Sequence, residues 1–255
     1  MMLFTDMTFI GIDASGGRKP FTYAALDGDA RLFALGEGEM EEVLAFLGGQ
    51  RAACVAVNAP PRPNLGIVKS SGQMQSFGGA HLPGRAVEMR LAEFQLRERG
   101  IVVAHTPARE DLCPAWMRLG FTFYRKLDGM GFKPYPAAET NHCWLETHPH
   151  AVFCALLGRL PLAKMSLEGR LQRQLALYEA GLEIKDPMDF FEEVTRHRIL
   201  KGSLPMEFVY APEALDALAA AYAAYAAIQK PDTLTAFGDP QEGMLYLPGE
   251  LKEKY

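Results

Sequence analysis

The chain has 255 residues, 49% of them apolar and 22% charged, and carries a net charge of −5. Such a composition suits a globular protein with a sizeable core and argues against a protein that coats nucleic acid by bulk charge. No apolar run approaches the roughly 20 residues of a membrane span.

Met1 to Asp6 has no cationic start and no long apolar stretch, so no signal peptide is expected. Thr8 to Asp13 reads as a first strand and Pro20 to Leu26 as a second. The turn signal Asp27-Gly28-Asp29 leads to a third over Ala30 to Leu35. Met40, Val43, Leu44 and Leu47 recur at helical spacing over Glu39 to Phe46, ahead of Gly48-Gly49. Ala53 to Val57 is wholly apolar, as in a strand covered on both faces, and it stops at Asn58-Ala59-Pro60-Pro61. Pro60 to Gly84 is a long loop rich in Pro, Gly and Ser.

Beyond it, the spacing predicts a helix over Arg85 to Arg99, a strand over Ile101 to His105 and a mainly helical Leu112 to Met130. Gly131 to Thr140 reads as a connector. Cys143 to Glu146 is a strand, and Pro149 favours a helix start just after it. Leu160 to Gly202 is helical and polar, Pro212 opens the last long helix, and Gly243 to Leu247 is β-like. This order suggests one α/β domain over residues 1–255: three antiparallel strands, then parallel strands, flanked by helices, with a helical insertion at about 160–205. Cys54, Cys113, Cys143 and Cys154 form no CxxC pair, as expected of reduced, buried thiols in a cytoplasmic protein.

Three carboxylates stand where a metal-dependent site would want them. Asp13 and Glu146 end apolar strands, and Asp216 lies one turn into the alanine-rich last helix. Acids so placed can converge over a sheet edge, where repulsion calls for a cation, and hard oxygens suit Mg²⁺ or Mn²⁺. Ala219, Ala220, Ala223 and Ala227 share a side with Asp216, and such small residues let a helix approach a sheet closely. The blander readings are a turn cap for Asp13 and a favourable helix-dipole position for Asp216. His148 and His150 follow Glu146 without the spacing of a zinc site and read as packing or capping groups. Arg90 and Glu93, one turn apart, form either a helix-face ion pair or a pair facing phosphate and metal. Lys69, Arg85, Arg118, Arg125, Lys126 and Lys133 offer a basic rim.

The motifs Gly11-Ile12-Asp13, Val55-Ala56-Val57-Asn58-Ala59-Pro60, Arg90-Leu91-Ala92-Glu93, Arg99-Gly100-Ile101, Glu146-Thr147-His148-Pro149, Asp216-Ala217-Leu218 and Glu242-Gly243-Met244 occur in a definite order. In that order the chain resembles the domain of unknown function family numbered 429, over Phe9 to Pro248. The resemblance implies a ribonuclease H-like fold and a nuclease that hydrolyses phosphodiester bonds at a carboxylate cluster. Asp13, Glu146 and Asp216 would hold Mg²⁺ or Mn²⁺, Asn58 would complete the catalytic group, and Arg90 and Glu93 would meet a nucleic-acid substrate. The family pattern has an acid where Asn58 stands, so metal affinity should fall or one of two metal sites be lost. Two alternatives remain at this point: a nucleic-acid-binding module on a decayed site, and an actin-like nucleotide-binding or phosphotransfer protein, which shares the opening strand and turn.

Overall fold

The computed structural model describes residues 7–14, 21–70, 88–137 and 140–255, without the side chains of residues 69 and 70. Every residue of Thr8–Asp13 (β1) is buried, as a strand lacking polar alternation requires cover on both faces. Phe21–Leu26 (β2) pairs antiparallel with it, and Leu32–Gly38 (β3) pairs antiparallel with β2. Met40–Gly48 (α1) then returns the chain to Ala53–Asn58 (β4), which lies parallel to β1.

The remaining elements follow in chain order: Ile67–Ser70 (α2), Leu91–Glu98 (α3), Ala115–Gly129 (α4), Lys133–Pro134 (β5), His142–Glu146 (β6), Pro149–Leu157 (α5), Leu167–Glu179 (α6), Met188–Glu193 (α7), Arg196–Leu200 (α8), Pro212–Gln229 (α9), Leu234–Asp239 (β7) and Gly243–Pro248 (β8). Among the described residues, eight strands join one sheet in the order β3-β2-β1-β4-β6-β8-β7, with the short β5 beside β6. Three antiparallel strands followed by parallel β4, β6 and β8 give a mixed α/β sheet consistent with the ribonuclease H-like arrangement. β1 is interior, between β2 and β4.

Alternation of side chains along the strands separates two cores. Phe9, Cys54, Ala56, Cys143 and Leu145 face the long helix α9. Ile10, Ile12, Val55, Val57 and Trp144 face the opposite way, against Val43, Leu47, Phe123 and Leu127 of α1 and α4. α9 lies very close to β1. A Cβ on Gly11 would come within 2.0 Å of the Ala217 carbonyl oxygen and 2.1 Å of the Ala221 nitrogen. Gly11 and the alanine face of α9 are thus complementary: neither a larger strand residue nor a larger helix residue would permit this approach.

Several segments differ from the sequence expectations, among them β5 inside the expected connector, α2 inside the expected long loop, and a loop up to Ser166 where helix is expected from Leu160. Ile101 to His105 is not a strand: Ile101 and Val103 are buried and Val102 is exposed, but the segment runs beside the cleft described below instead of joining the sheet. Of the helix expected over Arg85 to Arg99, residues 85–87 lie outside the described residues, and from Glu88 on the helix begins at Leu91, because Arg90 takes the extended N-cap conformation. β7 had no expectation, since its burial is irregular and its sequence lacks a clean alternation. The part of the expected long loop beyond Ser70 lies outside the described residues. Among the described residues, no helix is long and apolar enough to cross a membrane, and the four cysteines are buried free thiols.

Candidate functional site

Parallel β1, β4 and β6 end at one edge of the sheet, the position where open α/β sheets bind ligands. Asp13 and Asn58 are register partners, so their side chains leave the same face, the one covered by α9. Asp13 is fully buried and accepts a 2.7 Å hydrogen bond from the Asn58 amide nitrogen. The close contact at Gly11, two residues before Asp13, brings the first turns of α9 to the same strand end. Asp216 precedes Ala217 in that contact and is buried as well.

Lys164 completes this side of the site. Its ammonium forms an ion pair with the Asp216 carboxylate. Burial pushes the Asp216 carboxyl up to about 6; Lys164 pulls it back down, while the charge of Asp13 adds to the rise. Burial disfavours the charge on Lys164, but Asp216, with Asp13 and Glu213 behind it, outweighs this and holds the amine above its ordinary range. Asp13, Asp216 and Lys164 are therefore one electrostatic group.

Glu146 belongs to a different group. Its register partner is Val57, one residue before Asn58, and this offset of one turns it to the sheet face opposite Asp13. There both of its carboxylate oxygens accept from the Arg90 guanidinium, one of them at 2.8 Å. Burial pushes the Glu146 carboxyl up to about 7, against the pull of Arg90. The three carboxylates expected to share one ion are thus divided, with Asp13 and Asp216 on one side and Glu146 on the other. Among the described residues, no group of three His, Cys, Asp or Glu side chains is arranged to hold a metal ion.

Arg90 and Glu93 do form a pair, 3.0 Å apart, but a buried one. Arg90 also reaches the Glu242 carbonyl at 3.2 Å, so its guanidinium is held by partners within the protein while it lines the cleft described below. Glu93 caps the start of α3 through the Arg90 backbone N–H and takes the backbone N–H of Thr106 at 2.9 Å and its hydroxyl. Glu242 accepts from the backbone nitrogens of Leu91 at 2.8 Å and Leu65 at 2.8 Å, binding three chain segments together. Each acid gains enough donors to be stable without solvent.

A cleft of about 420 Å³ opens over this strand edge, lined among others by Asn58, Asp216, Lys164, His148, Arg90 and Glu146. His148 is the N-cap of α5, its Nδ1 accepting from the Ala151 N–H at 3.3 Å. That bond leaves the proton on Nε2. Burial, with the nearby His150 and Lys164, lowers the imidazole to about 4, so His148 is a neutral donor at neutral pH. Of the expected basic rim, Arg125 and Lys126 pair with Glu110 and Glu41 on the surface, and Arg85 lies outside the described residues.

Residues 11–242 match the model of a family described as a protein of unknown function, DUF429. The chain belongs to this family. No curated protein and no solved structure matches it. The DUF429 span opens at Gly11, against α9, and closes on Glu242, which clamps α3, so it encloses both charged groups of the cleft. Within it, Lys164, Thr106 and the structural role of Glu242 escape a reading of the sequence. Lys164 sits after Leu160, Pro161, Leu162 and Ala163 in a loop, where the sequence predicts helix from Leu160 on, and no local spacing ties it to Asp216, 52 residues away. Glu242 gave a partial signal, as the first residue of Glu242-Gly243-Met244.

Proposed function

We propose that the cleft hydrolyses phosphodiester bonds of nucleic acid with the help of one Mg²⁺ or Mn²⁺ held by Asp13 and Asp216. The observation that carries this reading is a buried carboxylate at a helix start, Asp216, ion-paired with Lys164 at the wall of an open cleft and within electrostatic reach of a second buried carboxylate, Asp13, at a strand end. Such a place favours positive charge, and its donors are hard oxygens, so the pair fits a divalent cation. Glu146 does not fit that donor set, because Arg90 holds it on the other sheet face.

Bound there, Mg²⁺ or Mn²⁺ would supply Lewis acidity toward a phosphoryl oxygen and acidify a water molecule. The residues of the chain do the rest. Asn58 fixes the Asp13 carboxylate through its 2.7 Å hydrogen bond. The Arg90–Glu146–Glu93 network braces the ends of β6 and α3 and keeps the opposite wall rigid. His148, with its proton on Nε2, offers a neutral hydrogen-bond donor to an anionic oxygen. Lys164 brings positive charge to a phosphate in the same cleft. We place this activity in the cytoplasm, where the four buried thiols stay reduced.

Metal-dependent cleavage of short single- and double-stranded oligonucleotides tests the proposal. Asp13→Asn should lower the rate at least about a hundredfold, the scale of a lost ligand for a catalytic cation. Asn58→Asp should strengthen Mn²⁺ binding, because it sets a second carboxylate against Asp13. Cleavage by Asp13→Asn at the wild-type rate contradicts the assignment. A second reading, a nucleic-acid-binding cleft without hydrolysis, draws on Asn58 in place of an acid and on the internal pairing of Glu146. Salt-dependent binding with no cleavage under any metal selects it.

A further inference from the structure

We infer that Lys164 is a built-in competitor for the cation site: its ammonium occupies the place beside Asp216, and its side chain swings further into the cleft when a divalent ion enters. The inference rests on the metal-dependent reading above and adds a regulation to it. Lys164 is ion-paired with Asp216 and interacts electrostatically with Asp13, the same two acids assigned to the ion. A lysine carries one positive charge and a divalent ion two, so the ion is the stronger partner for two carboxylates once it has shed water.

The surrounding loop allows this exchange with motion of one side chain. The Lys164 side chain is 38% exposed while its partner Asp216 is 10% exposed, so the cation has an exit that the acid lacks. The backbone on both sides of Lys164 is fixed. Leu162 donates its N–H to Gln172 at 2.7 Å and accepts from Arg173 at 2.8 Å. Ser166 donates its N–H to the Ala163 carbonyl at 3.1 Å and caps α6 through Gly169. That carbonyl also packs so closely on Gly169 that a Cβ there would lie 1.9 Å from its oxygen. With Cα held, rotation about the side-chain bonds moves the ammonium from Asp216 toward the cleft that Lys164 already lines. Entry of the ion and presentation of a cation to the substrate phosphate are then the same event.

Mn²⁺ binding, measured from the electron paramagnetic resonance of the free ion at pH 8, tests this without any assay of activity. Lys164→Met removes the charge at similar length, and Lys164→Gln serves the same purpose should the first variant not fold. Either should bind Mn²⁺ about five- to tenfold more tightly than wild type, the scale of a part-exposed ion pair. Lys164→Arg, which keeps the charge, should bind as weakly as wild type, and the gain should vanish when Asp216→Asn is added. Wild type that binds Mn²⁺ while the neutral variants bind no tighter overturns the competitor role alone. If no protein in the series binds Mn²⁺, the cation site itself is refuted and the competitor falls with it.

Discussion

A carboxylate buried near a strand end persists only with partners, and four acids at this edge of the sheet have found different kinds. Asp13 takes an amide, Asp216 an ammonium, Glu146 a guanidinium, and Glu242 backbone N–H groups. His148 shows how such an environment reaches stability. Its imidazole is held down to about 4 in the folded chain, first by burial and then by His150 and Lys164. In the unfolded chain it titrates near 6.5, so between the two values the unfolded state binds the extra proton. Stability from this group is therefore complete above pH 6.5 and is lost as pH falls toward 4. The loss amounts to at most about 3 kcal/mol. His148→Asn keeps an oxygen able to cap α5. Denaturant unfolding at pH 7 and pH 4.5 should show a smaller acid loss in this variant than in wild type. Equal losses in the two proteins would remove His148 as the source.

At the scale of elements, the contact of α9 with β1 decides where Asp216 stands. Gly11→Ala places a methyl group on the backbone of Ala217 and Ala221, so α9 must move away from the sheet. We expect a loss of about 3 kcal/mol, the upper part of the range for overpacking, together with weaker Mn²⁺ binding. Thermal and denaturant unfolding measure the first and spin resonance the second. An unchanged unfolding midpoint would show that the contact is not tight. The alanines at helical spacing announced this close approach in the sequence, although its nearest residues are Ala217 and Ala221. The strand ends at Asp13, Asn58 and Glu146 were legible too, because wholly apolar runs stop there. The face of Glu146 was not legible. It depends on a one-residue offset between β4 and β6, and pairing register is a tertiary property that neither strand carries alone. The same reason hid Lys164, a loop residue whose partner lies on the distant helix α9, and made Ile101 to His105 look like a strand when its alternation belongs to a cleft wall.

For the whole molecule, the mixed sheet works as a frame that presents two charged groups across one edge. One group, Arg90 with Glu146 and Glu93, is closed and serves rigidity. In the other, Lys164 at the cleft wall is ion-paired with Asp216 and within electrostatic reach of Asp13, and the proposed chemistry is assigned to it. This division predicts one divalent ion, where the sequence suggested three carboxylates around a metal. The most direct measurement is anomalous scattering from a crystal of the protein soaked in Mn²⁺. The account predicts one manganese peak between Asp13 and Asp216, with the Lys164 side chain turned into the cleft and Glu146 still on Arg90. A peak coordinated by Glu146, or a soaked crystal in which Lys164 remains on Asp216 with no manganese beside it, would contradict it.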